Sequence, residues 1–180
     1  PAPVRPSRAP PGLPAAPRCA APGEHCGAPG TASADAEVVH VCAVNQASPR
    51  NLLASWQQDR WSDGGAHSLL GAVSFDGGST WTPHSATFSR CAGGNSGNNG
   101  DWERASDPWV SFSPNGNAYW MALGFSDSSQ SLNNAMLVAR SSDGGASWGT
   151  PLALIVDNAA FFNDKNSLTA DPTDPRFAYA

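Results

Sequence analysis

The chain has 180 residues, 40% of them hydrophobic, with 18 glycines, 16 prolines and a formal net charge of −5. That length can bury a core, and so much Gly and Pro argues for many turns and little helix. Lys165 is the only lysine, so no basic patch suits nucleic acid or an anionic membrane surface. No apolar run approaches the ~18 residues of a membrane span, and the first residues carry no secretory leader pattern.

Residues 1–37 read as a tail or linker. Nine of the prolines fall between Pro1 and Pro29, and no alternating apolar pattern appears before "EVVHVCAV". From residue 38 onward, short strand-like runs recur between Gly, Pro, Asn and Asp clusters. They predict strands near 38–44, 51–57, 67–74 and 81–88, then 108–113, 117–125, 134–141 and 148–155, then 165–170 and 176–180. The grouping is four, four and two.

Two copies of one pattern mark the third turn of each full group: "SFDGGSTW", Ser74 to Trp81, and "SSDGGASW", Ser141 to Trp148. A short acidic side chain before two glycines suits a tight turn, with the carboxylate accepting from turn N–H groups. Asp76 and Asp143 are 67 residues apart, and Pro49-Arg50 is echoed at Pro175-Arg176. Radial repetition of four-stranded sheets at such a period is the signature of a β-propeller. The expected fold class is all-β: a partial β-propeller, residues 38–180, with two complete four-stranded blades and the start of a third. Two and a half blades cannot close a ring, so the region is expected to be the N-terminal part of a longer propeller.

Four cysteines, Cys19, Cys26, Cys42 and Cys91, are an even count without a Cys-x-x-Cys pair. They suggest two disulfides and a secreted or extracytoplasmic setting. The expected pairing is Cys19 with Cys26 and Cys42 with Cys91; a zinc site using His25 or His40, or four reduced thiols, are the alternatives.

The paired turns resemble the Asp-box, or BNR repeat, of the sialidase-like (neuraminidase) propellers, on Ser74, Asp76, Gly78 and Trp81 and on Ser141, Asp143, Gly145 and Trp148. In that family the box is a peripheral, structural hairpin and the ligand face lies at the opposite end of the blades. The resemblance implies a secreted exo-alpha-sialidase-like glycoside hydrolase acting on a glycan, or a non-catalytic propeller that binds glycans or proteins. Its segment Ala-x-x-x-Arg with an acidic residue shortly after resembles "LLASWQQDRWSD", which sets Arg60 at a pocket arginine and Asp63 near the acid/base carboxylate. Read from the residues alone, Asp63 in "SDGG" is a turn former. Where the family has Arg-Ile-Pro, this chain has "VHVC", with His40 in the arginine's place, so a guanidinium clamp is missing there.

The loops that would gather at that face carry Asp59, Glu103, Arg104, Asp107, Asp164 and Lys165, the candidate substrate-binding residues. Asp107 and Asp164 are expected at equivalent places ahead of two innermost strands, either as a polar floor for a sugar or metal ion or as capping residues. No cofactor is expected, although the Asn-rich loop Asn95 to Asp101 could offer oxygens to calcium. A connection as long as residues 89–107 reads as a functional or flexible loop rather than a scaffold connection.

Overall fold

The computed structural model describes residues 32–33, 38–127, 133–158 and 160–180. The chain is all-β there, with a single short 3-10 turn at Arg90–Ala92. Strands are β1 (Ala32–Ser33), β2 (Val38–Val44), β3 (Leu52–Trp61), β4 (Ala66–Ser74), β5 (Thr82–His84), β6 (Arg104–Phe112), β7 (Ala118–Phe125), β8 (Asn134–Ser141), β9 (Leu152–Asp157), β10 (Thr169–Ala170) and β11 (Ala178–Tyr179). β2 to β5 pair successively as one antiparallel unit and β6 to β9 as a second; β10 and β11 begin a third. One residue pair, Ala66 with Ala105, joins the first two units. The fold is thus two four-stranded blades and the start of another.

Strand periodicity explains how the second blade holds the stack together. Alternate residues of a strand point to opposite faces. On β7 and β8, Ala118, Trp120, Ala122, Ala135, Leu137 and Ala139 face the first blade, where they meet Leu53, Leu69, Val73 and Phe88. The residues between them, Met121, Leu123, Phe125 and Met136, face the other way and pack on Leu168, just ahead of β10. Both faces are therefore buried, which is why these two strands carry so little polar sequence. Trp120 is the largest fully buried side chain and meets Phe88 and Trp148 edge-on. Truncating such a residue to Ala removes about 3–5 kcal/mol. Gly71 makes room for it, since a Cβ there would lie 2.9 Å from the indole.

The two Ser-x-Asp-x-Gly turns have the same interior. Ser74 Oγ donates to Asp76 Oδ1 at 2.8 Å and accepts from Gly78 N at 2.8 Å; Thr80 N donates to Asp76 Oδ1 at 2.8 Å. In the second, Ser141 Oγ donates to Asp143 Oδ1 at 2.6 Å and accepts from Gly145 N at 2.8 Å, and Ser147 N donates to Asp143 Oδ1 at 2.9 Å. Trp81 Nε1 donates to Gly78 O at 3.0 Å, while Trp148 packs on Trp120.

Several element ends differ from the sequence expectation. β3 runs to Trp61 and β6 starts at Arg104, so Asp59, Arg60 and Asp107 lie within strands. β5 and β9 are shorter than predicted, and β10 spans only Thr169–Ala170. β1 falls inside the predicted tail and pairs with β3 at Trp61 and Arg60. Cys19 and Cys26 lie outside the described residues.

The expected Cys42–Cys91 bridge is not formed: Cys42 is a free, exposed thiol. Cys42 pairs with Ala54, and Ala54 with Ala72 on β4, whereas Cys91 Sγ sits 3.5 Å from Nδ1 of His67, five residues along β4. Two strand spacings of ~4.8 Å and five residues of ~3.3 Å separate Cys42 from His67, the residue that the Cys91 thiol meets, against the ~7 Å Cα limit for a disulfide.

Candidate functional site

The ends of β3 and β6 carry the polar groups that the sequence singled out, and the backbone there is unusual. Val39, Asp107 and Lys165 all have left-handed backbone, with φ of 54, 48 and 58°. Val39 and Asp107 lie in register shifts of β2 and β6, between Val38 and Val41 and between Ser106 and Trp109; Lys165 lies ahead of β10. These are the innermost strands of three successive units. Left-handed residues other than Gly or Asn hold local strain and persist only where their surroundings over-determine them. By backbone conformation Asp107 corresponds to Lys165, not to Asp164 as the spacing suggested.

A hydrogen-bonded chain crosses the three units at this end. Arg60 Nη1 donates to Gln57 Oε1 at 3.2 Å. Gln57 Nε2 donates to Ser106 Oγ at 2.9 Å and to Asp107 Oδ1 at 3.4 Å, and Ser106 Oγ donates to the same Asp107 oxygen at 2.9 Å. Asn166 Nδ2 donates to the Asp107 carbonyl at 2.8 Å, and its own Oδ1 is buried without a hydrogen bond. Gln57 and Ser106 are buried, while Arg60, Asp107 and Asn166 are half-buried. The sequence reading missed Gln57, Ser106 and Asn166, because uncharged amides and hydroxyls carry no distinctive signal.

Asp63 and Arg104, placed on separate loops by the sequence, form one ion pair. Arg104 Nη1 lies 2.6 Å from Asp63 Oδ1, with 1% of the arginine side chain exposed against 48% of the aspartate's. Arg104 also donates to Gly64 O at 2.9 Å and to Glu103 Oε1 at 3.3 Å. Its guanidinium lies 5.0 Å from the Trp61 ring centroid and 6.0 Å from that of Phe125. Trp61 in turn stacks on His67 at 4.2 Å. The Arg104 hydrogen bond holds the Asp63 carboxyl below the usual range, against a smaller opposing effect of burial. Glu103 accepts from Asp127 N through its other oxygen.

The remaining candidates stand apart. Gln58 Nε2 donates to Asp59 Oδ1, and Asp59 also has left-handed backbone. Asp164 Oδ1 accepts from Lys165 N, and the Lys165 side chain is 88% exposed. His40 is exposed on β2. In the Asn-rich loop, Asn95 Oδ1 accepts from Gly97 N, Asn98 Oδ1 accepts from Asn95 N and Gly100 N, and Asp101 pairs with Arg90. Among the described residues, no group of three His, Cys, Asp or Glu side chains is gathered to hold a metal ion, and no helix is long and apolar enough to cross a membrane.

No family model matches the chain, and no curated protein matches its sequence. Solved structures do resemble it. The Hadza microbial sialidase Hz136 superposes with a TM-score of 0.51 at 20% identity, over 67% of this chain and 26% of that one. The Trypanosoma rangeli sialidase in complex with 2,3-difluorosialic acid gives a TM-score of 0.45 at 18% identity, over 67% of this chain and 20% of its own. The chain thus spans about a quarter of the length of the first of these. At such identity the likeness speaks to architecture, and with the two four-stranded units and the beginning of a third it makes this chain a sialidase-like partial β-propeller.

Proposed function

We propose that this chain recognises an acidic glycan of the sialic acid class, at the end where β3, β6 and the segment ahead of β10 converge, and that it does so by binding rather than by hydrolysis. The observation that carries this reading is the hydrogen-bonded chain from Arg60 through Gln57 to Asp107 and Asn166, in which three successive units contribute to one polar floor. Arg60 supplies a guanidinium for a carboxylate, the strongest kind of neutral-pH hydrogen bond available to a sugar acid. Asp107 is half-buried and accepts from a sugar hydroxyl, Asn166 holds the Asp107 backbone from beneath, and Lys165 stands at the rim.

Hydrolysis, the activity implied by the sialidase resemblance, needs a carboxylic acid to protonate the leaving oxygen. Asp63 is a poor donor for that step because Arg104 favours its ionised form. We assign Asp63, Arg104 and Glu103 to the scaffold, and Arg60 and Asp107 to the ligand. The two Ser-x-Asp-x-Gly turns are read as Asp-box repeats on the periphery. An extracytoplasmic location belongs to this reading and is supported by the class of ligand rather than by the cysteines, since Cys42 is unbridged.

Calorimetric titration with 3′-sialyllactose and lactose tests the proposal. The expected result is saturable binding of the sialylated sugar, at least about tenfold tighter than lactose and lost in Arg60→Ala, as the removal of one charge-assisted contact implies. A fluorogenic sialoside should release nothing above buffer. Equal affinity for both sugars, or no binding, sinks the reading; release that Asp63→Asn abolishes would make the chain a hydrolase.

A further inference from the structure

We propose that Gln57 is a positioning residue whose buried carboxamide sets Arg60 of the first blade against Asp107 of the second, so that the two charges address one ligand instead of neutralising each other. This rests on the glycan-binding reading above.

Gln57 is 1% exposed and sits mid-strand on β3, between Val38 of β2 and Leu69 of β4. A primary amide presents an acceptor and two N–H donors on one planar group. Here the acceptor takes the Arg60 guanidinium, and the donors serve Ser106 and Asp107. The orientation is fixed by its neighbours. Flipping the amide would set N–H against guanidinium and oxygen against carboxylate, two repulsive contacts in a poorly solvated place. No charged residue can do both tasks, because a Glu there would hold Arg60 and repel Asp107, and a Lys would do the reverse.

The Asp107 backbone is held independently, by its left-handed bulge and by Asn166 on its carbonyl. What Gln57 adds is the direction of the Asp107 side chain and its distance from Arg60. One Asp107 oxygen is engaged by Gln57 and Ser106; the other accepts no hydrogen bond among the described residues and is left for a ligand hydroxyl. With Gln57 removed, Arg60 and Asp107 can close on each other or turn to solvent, and either lowers affinity with both residues still present.

The test uses the intact chain with Gln57→Met, which keeps the side-chain length and removes both hydrogen-bonding ends. Affinity for 3′-sialyllactose should fall about 10- to 100-fold, in line with the loss of preorganisation at a charge-assisted contact. Asp107→Ala should then weaken binding far less in the Gln57→Met background than in the wild type, a non-additivity that a merely structural glutamine would not produce. Unchanged affinity, or full additivity, overturns the proposal. Should the wild type bind no sialoside, the glycan reading fails by itself and the Gln57 assignment is decided by NMR. The Gln57 side-chain amide resonances must shift in both Arg60→Ala and Asp107→Ala, and signals that stay put in both overturn it.

Discussion

The turn at Ser74–Thr80 and its counterpart at Ser141–Ser147 share their internal hydrogen bonds, yet their surroundings differ. The first stands at the surface: a Cβ on Gly77 would meet nothing within 4 Å. Arg50 steadies it, with its Nη2 donating to Asp76 O at 3.3 Å and its carbonyl accepting from Gly77 N at 2.8 Å. The second is wedged into the neighbouring blade. A Cβ on Gly145 would lie 2.4 Å from Leu53 Cδ2, and one on Gly144 would lie 2.7 Å from Asn51 Oδ1. One sequence pattern therefore makes a free hairpin in one blade and an inter-blade contact in the next. The pattern dictates the turn; the neighbour decides what the turn is worth.

The largest effect that separates the two is a glycine substitution. Gly78 and its counterpart Gly145 both have left-handed backbone, with φ of 90 and 97°. A Cβ on Gly78 would meet Leu52 only at 3.5 Å, so Gly78→Ala should cost only the conformational strain, about 1 kcal/mol. Gly145→Ala adds overpacking against Leu53 and should cost about 3 kcal/mol or more. Urea denaturation of both variants gives the comparison, and equal losses would mean that the second turn is not wedged as described.

Asn51 is the residue that joins the two turns, and its loss should come next. It is buried, donates to Ser74 O at 3.3 Å and to Gly144 O at 3.0 Å, and accepts from Asn45 Nδ2 at 3.0 Å. Asn51→Ala leaves those buried carbonyls unanswered and should lower stability by about 2 kcal/mol. Combined with Gly144→Ala, whose added Cβ would lie 2.7 Å from Asn51 Oδ1, the loss should be smaller than the separate losses together, because both act on one contact. Simple additivity in the double variant would place the two residues in independent contacts.

How much of this was visible in the sequence follows from where each interaction closes. The turns were legible because every hydrogen-bond partner of the Asp76 and Asp143 carboxylates lies within four residues. The central strands were legible because short apolar runs bounded by Gly, Pro, Asn and Asp clusters are a local signal. At the inner end, Asp59 and Asp107 read as loop residues because polar, left-handed positions look like turns, whereas both sit within strands, Asp107 at the register shift of β6. Gln57 meets Ser106 across 49 residues and Asn166 meets Asp107 across 59, so no window of sequence could pair them. Arg104 read as a loop charge for the ligand, but Trp61, Phe125 and Asp63 enclose it, and those contacts too are made in three dimensions.

The smallest expected difference between the two turns is in acid, where they should behave alike. Hydrogen bonds from Thr80, and then from Ser74, bring the Asp76 carboxyl down to about 2, and those from Ser141 and Ser147 do the same for Asp143. The ordinary value is 3.8. A carboxylate with a depressed folded-state pKa binds its proton more readily when unfolded, so its stabilisation is complete above about pH 4 and disappears as the pH falls towards 2. His84 acts in a different window. Burial lowers its pKa from 6.5, with Asp143 opposing, so its cost begins nearer neutrality. Asp76→Asn and Asp143→Asn should therefore each flatten the plot of Tm against pH between about 4 and 2, by similar amounts, although Asp143→Asn should lower Tm more at pH 7 because its turn supports the neighbouring blade. Different acid slopes for the two variants would show that the surroundings, and not the turn's own hydrogen bonds, set the carboxyl pKa.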